Sequence, residues 1–134
     1  KNAELRLIAS IASGGEIARL MLALKCLIAK SAELPTIIFD EIDTGVSGDV
    51  AGRMGEMMAE MARDIQVITI SHLPQIAARG GQHFKVFKHD TEDATVTQIV
   101  ELSVEERELE IAEMLSGKNP SEAAISAARE LLGK

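Results

Sequence analysis

The chain has 134 residues, 46% hydrophobic and 26% charged, and its 14 basic against 21 acidic side chains leave a formal net charge of −7. A near-average globular composition with a single cysteine, Cys26, excludes a disordered tail, a collagen-like repeat, a disulfide scaffold and a zinc site built from thiolates. The acidic balance and an aromatic content of 2% also argue against a surface that grips a nucleic-acid backbone by charge or stacks bases on rings.

The length suits one domain over 1–134. Arg19, Lys25 and Lys30 interrupt the longest apolar stretches well short of the roughly 20 residues a bilayer needs, so no membrane partner is expected. The start, Lys1-Asn2-Ala3-Glu4, has neither an apolar leader nor an initiating Met, which reads as an excised piece of a longer protein. The lone thiol fits a reducing, cytoplasmic setting.

In chain order, Ser13-Gly14-Gly15-Glu16 reads as a loop turning into a helix, with Glu16 at capping-box distance from Ser13. Ile17, Leu20, Met21, Leu24, Leu27 and Ile28 follow at helical spacing as one apolar stripe, and Pro35 closes the segment. Thr36-Ile37-Ile38-Phe39-Asp40-Glu41 is a short apolar run without polar alternation, which predicts a parallel strand covered on both faces. Asp43 to Gly48 is loop chemistry, and a helix over about 49–63 carries Met54, Met57, Met58 and Met61 as a core stripe. Gln66 to Ile70 is a second buried strand, ending at Ser71-His72, and Pro74 to Arg79 is a short helix.

Beyond it, Phe84 to Lys88 and Thr95 to Val100 alternate with period two around Asp90-Thr91-Glu92-Asp93, predicting an antiparallel hairpin with one wet face. Ser103 and Glu106 have capping-box spacing at the start of a helix that stops at Gly117, and Pro120-Ser121 opens a last helix. Glu101, Glu105, Glu106, Glu108, Glu110 and Glu113 read as a solvated acidic face. The order predicts an α/β fold, layered, with a mainly parallel sheet, flanking helices and a hairpin.

The chemistry collects where the two apolar strands end, because ligands of a parallel sheet gather beyond its carboxyl edge. Asp40 is placed to hold a hydrated Mg²⁺, and Glu41, pointing elsewhere, to orient a water. His72, ending the next strand, can donate a hydrogen bond to a phosphate oxygen. The paired glycines before the first helix let backbone N–H groups approach a phosphate at the positive helix end.

These residues carry a resemblance. Ser13-Gly14-Gly15-Glu16 is similar to the ABC-type signature motif, Thr36 to Glu41 to a Walker B strand with its catalytic glutamate, Asp43 to Gly48 to a D-loop, and Ser71-His72 to the switch histidine. More narrowly, Phe39 to Gly48, Ser71 to Ala77 and Met114-Leu115-Ser116-Gly117 resemble the RecN family of SMC-like bacterial DNA-repair ATPases, from about Glu4 to the C-terminus. Ser71 stands where Thr is frequent, and Ile17-Ala18 where Leu-Ser is frequent.

No G-x-x-x-x-G-K-[ST] pattern occurs in the chain. In SMC-like proteins that P-loop lies in an N-terminal lobe beyond a long coiled coil, so the resemblance implies a C-terminal P-loop NTPase lobe, inactive by itself. It implies ATP and Mg²⁺ as cofactors, both needing the missing N-terminal Walker A lobe, and a second head as homodimer partner. Asp40 would hold Mg²⁺, Glu41 the attacking water and His72 the γ-phosphate. Ser13, Gly14, Gly15, Glu16 and Asp43 would lie where ATP is sandwiched between two heads. DNA would be engaged through the full-length protein during double-strand-break repair and recombination, in the bacterial cytoplasm at the nucleoid.

Two other classes stay open on the residues alone. One is a metal-dependent phosphohydrolase using Asp40, Glu41, Asp43 and His72 as ligands. The other is a non-catalytic interaction module that kept the fold.

Overall fold

A computed structural model describes residues 14–90 and 94–134. The chain packs as two compact units, the first ending at Ile76 and the second running Ala77–Lys134. Each unit holds its own apolar cluster.

In the first unit, α1 (Gly14–Ser31) leads to β1 (Thr36–Asp40), α2 (Gly48–Met61), β2 (Gln66–Ile70) and the short α3 (Pro74–Ala77). α1 stops in a paired-bond C-cap: Leu34 N–H donates to Ala29 O at 3.1 Å, Glu33 N–H to Lys30 O at 3.4 Å, and Glu33 takes a left-handed φ of 50°. Pro35 comes next, and its carbonyl accepts from Gln66 N–H at 3.0 Å, which starts the pairing of the two strands.

β1 and β2 are parallel and in register from Thr36↔Gln66 to Asp40↔Ile70. Their inner face, with Ile37, Phe39 and Val67, packs on Leu22 of α1, Ala51, Met54 and Met58 of α2, and Ile76 of α3. Met57 and Met61 pack against the same cluster, so the methionine stripe is a core face. Lys25 also lies over the Phe39 ring, 5.9 Å from its centroid.

Two expectations are corrected here. The strands are covered on one face only: Ile38 is 62% exposed, and Ile68 and Ile70 beside it are also open. In α1 the bulky stripe Ile17, Leu20, Met21, Leu24, Leu27 and Ile28 is exposed, while Ala18, Leu22 and Cys26 meet the core. An apolar run records that a face is to be covered, and among the described residues no element of this unit covers these two.

In the second unit, β3 (Phe84–Asp90) and β4 (Thr95–Glu101) form an antiparallel hairpin in register from Phe84↔Glu101 to Asp90↔Thr95. Among the described residues the sheets are thus a small parallel pair and a separate antiparallel pair, the expected hairpin. β3 alternates as expected, but every residue of β4 is exposed.

α4 (Val104–Ser116) opens on the anticipated capping box, with Ser103 Oγ accepting from Glu106 N–H at 3.2 Å and Glu106 Oε2 accepting from Ser103 N–H at 2.8 Å. α5 (Glu122–Leu132) is capped by Ser121 and closed by Gly133 in the left-handed region. Ala78, Ile111, Ala112 and Ala128 form the core of this unit, with Ile125 and Leu131 packed against it.

The acidic face is only partly solvated, which corrects another expectation. Glu110 and Glu113 pair with Lys85, and Glu108 pairs with Arg129 at 2.9 Å and Lys134 at 3.6 Å. Glu101, Glu105 and Glu106 remain exposed. Basic residues distant in sequence reach back to these acids, which helical spacing alone does not reveal. The Asp90 to Asp93 turn falls partly on residues 91–93, outside those described.

Candidate functional site at the ends of two parallel strands

Because β1 and β2 run parallel and end level, the segments that leave the two strands depart from the sheet at the same rim. Asp40 is the last residue of β1, and its side chain is exposed. Glu41 still belongs to the ladder through its backbone, donating N–H to Ile70 O at 3.1 Å, but its φ of 45° is left-handed. That conformation costs a non-glycine residue roughly 1–2 kcal/mol. Its carbonyl accepts from Thr44 N–H at 3.3 Å and from Thr44 Oγ1 at 2.9 Å, a tight turn that holds the strained residue in place. The Glu41 side chain is exposed beside that of Asp40.

The turn sends the next acid inward. Asp43 is 1% exposed, its Oδ2 accepts a hydrogen bond from the Ser71 hydroxyl, and its Oδ1 has no hydrogen-bond partner among the described residues. Its carbonyl accepts from Val46 N–H at 3.0 Å. The resemblance places Asp43 where a second head would meet it. In the structure of this chain its carboxylate turns into the first unit, where the left-handed residue at 41 reverses the chain. Gly45 (φ 77°) and Gly48 (φ 55°) carry the loop to α2; a Cβ at either would touch nothing within 4 Å, so their requirement is conformational.

On the neighbouring strand, Ser71 comes directly after Ile70 and His72 is exposed next to it. Ser71 Oγ, besides donating to Asp43, accepts from Leu73 N–H at 2.9 Å, closing a serine turn around His72. The third motif lies close by: a Cβ placed on Gly14 would stand 4.0 Å from the Gly45 carbonyl oxygen, and one on Gly15 would stand 3.5 Å from Cγ1 of Val50. The start of α1 therefore adjoins the loop after β1. Glu16 is exposed in the first turn of that helix. Ser13, and with it the expected Ser13–Glu16 capping box, lies outside the described residues.

The donor set is sparse. Among the described residues no three His, Cys, Asp or Glu side chains gather to hold a metal. A phosphohydrolase built on Asp40, Glu41, Asp43 and His72 as joint ligands therefore lacks its shell, since Asp43 is turned inward to Ser71. A single exposed carboxylate at a strand end fits Mg²⁺, which keeps its waters and takes most other ligands from phosphates. Ser71 enters the motif reading only as the neighbour of the switch histidine, with no role of its own; the signal for one is a small hydroxyl one step past a strand end, opposite an acid in a glycine-rich loop. Among the described residues no helix is long and apolar enough to cross a membrane.

No protein-family model matches the chain. Over 125 residues, 93% of its length, it is 45% identical to the DNA repair protein RecN of Rickettsia conorii, of which it spans 23%. It is 44% identical over 129 residues, 96% of its length, to the DNA repair protein RecN of Deinococcus radiodurans, of which it spans 22%. The chain thus spans less than a quarter of the length of these relatives. In three dimensions it is similar to a chain solved in work on ATP-driven dimerisation and DNA-stimulated activation of SMC ATPases, with a TM-score of 0.71 and 26% identity, covering 88% of this chain and 70% of that one. It is also similar to the SMC head domain from Thermotoga maritima, with a TM-score of 0.61 and 26% identity over 71% of this chain and 35% of that one. These neighbours support a P-loop ATPase-like α/β fold. With RecN-like sequence along almost its whole length, and an SMC-head fold around the rim that holds Asp40, Glu41 and His72, the chain belongs to the RecN family of SMC-like ATPases, as a segment of the head.

Proposed function

We propose that this segment is the C-terminal lobe of an ATP-hydrolysing head that acts in repair of DNA double-strand breaks and in recombination. The observation that carries this reading is the level, parallel ending of β1 and β2, which gives Asp40, Glu41 and His72 one rim. Relatives named DNA repair protein RecN, and a structural neighbour studied for ATP-driven dimerisation, support it further.

In this reading an N-terminal lobe supplies the Walker A lysine. It also covers the open apolar faces of β1–β2 and α1, where each large side chain buried would contribute about 1.5–3 kcal/mol. Asp40 binds Mg²⁺ through water. When bound, the ion neutralises charge on the β- and γ-phosphate oxygens. Glu41 accepts a hydrogen bond from the attacking water and orients it, and His72 donates to a γ-phosphate oxygen. Gly14, Gly15 and Glu16, at the positive end of α1, and Ser13 before them in the sequence meet the γ-phosphate held by a second head, so nucleotide joins two copies. Loss of the phosphate removes the charge that joins them, and the heads part. DNA is engaged through the rest of the protein, in the cytoplasm at the nucleoid, and not through this acidic lobe.

The test is Glu41→Gln in the full-length protein. ATP hydrolysis should fall about 10²–10⁴-fold, the range for losing a positioned general base, while ATP binding and ATP-dependent pairing persist. Loss of ATP binding itself would contradict the role given to Glu41. A wild-type protein that binds no ATP and turns none over would leave a non-catalytic interaction module of the same fold.

A further inference from the structure

We propose that Ser71 is a positioning residue for the hydrolytic site: its hydroxyl ties the loop after β1 to the loop after β2 and so fixes His72 against Glu41. The inference rests on the ATPase reading above but names a residue and a device outside the motif roles.

The geometry is a short chain of bonds. Ser71 Oγ donates its proton to Asp43 Oδ2 and accepts the N–H of Leu73 at 2.9 Å. One oxygen atom thus touches both sides of the rim. His72 stands between the two residues of the serine turn, so its backbone direction is set by an oxygen that Asp43 holds. On the other side Asp43 is two residues from Glu41, and the turn between them is fixed by Thr44 bonding twice to the Glu41 carbonyl. The ladder bond from Glu41 N–H to Ile70 O at 3.1 Å closes the ring. Glu41 and His72 are therefore joined by two routes, one through backbone and one through Ser71 and Asp43.

Burial makes the second route consequential. Asp43 is 1% exposed and its Oδ1 has no partner among the described residues, so the hydroxyl of Ser71 is the one side-chain donor the carboxylate has there. A buried acceptor that loses its donor bears the desolvation cost unrelieved, and the loop moves to find water. Movement of that loop carries Glu41, which already sits in a strained conformation that only its surroundings maintain. An exposed Asp43 would relax alone; a buried one transmits the loss to the residue that holds the water.

The experiment uses the full-length protein with Ser71→Ala and Ser71→Thr, reading kcat and KM for ATP and hydrogen exchange of peptides covering residues 71–74. Ser71→Ala should lower kcat about tenfold with KM within about twofold, because a displaced water and imidazole raise the barrier more than they weaken binding. Ser71→Thr keeps the hydroxyl and should recover turnover to within about twofold, a rescue that lost packing volume would not produce. Exchange at 71–74 should rise at least about tenfold in Ser71→Ala and stay unchanged in Ser71→Thr. Asp43→Asn, which keeps the shape and weakens the acceptor, should give the same pattern with smaller amplitude. Unchanged kcat in Ser71→Ala overturns the proposal, as does a kcat loss that Ser71→Thr fails to recover. If the wild type itself shows no turnover, the ATPase reading fails by that result, and the exchange data alone then decide whether Ser71 ties the two loops.

Discussion

Glu41 donates its backbone N–H to the carbonyl of Ile70 at 3.1 Å, one residue beyond the last paired position of β1. The ladder thereby outlasts the strand that built it, and the residue carrying it has left strand geometry for a φ of 45°. The two facts together separate the backbone from the side chain. The former stays bound to the neighbouring strand, while the latter swings out to the rim where Asp40 and His72 are also exposed. The ladder bond therefore fixes the point on the rim from which this side chain leaves the backbone.

Ser13→Arg should abolish ATP-driven pairing of heads while changing nucleotide binding to a single head by no more than about twofold. In the proposed reading this motif faces a second head, so a long cation at position 13 obstructs an incoming copy more than it disturbs nucleotide held by its own head. Sedimentation velocity with ATP in a Glu41→Gln background reads this directly. Dimers forming at the wild-type concentration would show that the glycine-led helix start does not face a second head.

Much of the architecture was legible because local chemistry and tertiary placement agree. Ser103 and Glu106 make the box that their spacing announces, and Gly117 stops its helix. Ile37 and Phe39, with Val67, form the inner face of two parallel strands that end in acids and an imidazole. The features that stayed hidden depend on which partner a residue meets. Ile38 and Ile70 are as apolar as their neighbours, yet they face outward, because periodicity ranks faces by polarity and not by what lies opposite. The α1 stripe misleads for the same reason: Leu22, which the stripe leaves out, lies on the core, with the smaller Ala18 and Cys26 packed beside it. Asp43 gave no hint of burial, since its inward turn stems from the backbone of Glu41, two residues away. Glu108, Glu110 and Glu113 read as solvated until Arg129, Lys134 and Lys85 arrive from other elements.

Arg107 carries a structural role without any motif. Its Nη2 donates to Ala78 O at 2.8 Å, to Gly80 O, and to Ala77 O at 3.5 Å, and its Nη1 donates to Gly81 O at 3.3 Å. One planar fork thus collects four carbonyls of the second unit, those of Ala77, Ala78, Gly80 and Gly81. Arg107→Ala should destabilise the second unit by about 2 kcal/mol, the usual worth of hydrogen bonds to a charged group. Arg107→Lys should recover less than half of that, since one ammonium cannot span carbonyls arranged for a fork. Urea unfolding of the three proteins measures both, and full recovery by lysine would mean that charge alone is what matters.

His83 makes the second unit sensitive to acid. Its imidazole is half-buried, and its pKa is pushed below the ordinary value, first by burial and then by the Arg107 guanidinium; Glu110 opposes this and Lys85 adds to it. Nδ1 is buried without a hydrogen-bond partner among the described residues, so the folded environment favours the neutral ring. The unfolded chain, with an imidazole near 6.5, then binds the proton first as the pH falls. Stability from this group is therefore complete above the unfolded value and is lost as the pH drops from there through the lowered folded value. Lowering the pH from about 7.5 to about 5 should move the urea midpoint of the wild type downward, and His83→Gln should reduce that movement, because glutamine takes up no proton. Equal pH dependence in the two proteins would place the acid sensitivity on other groups and leave His83 without a part in it.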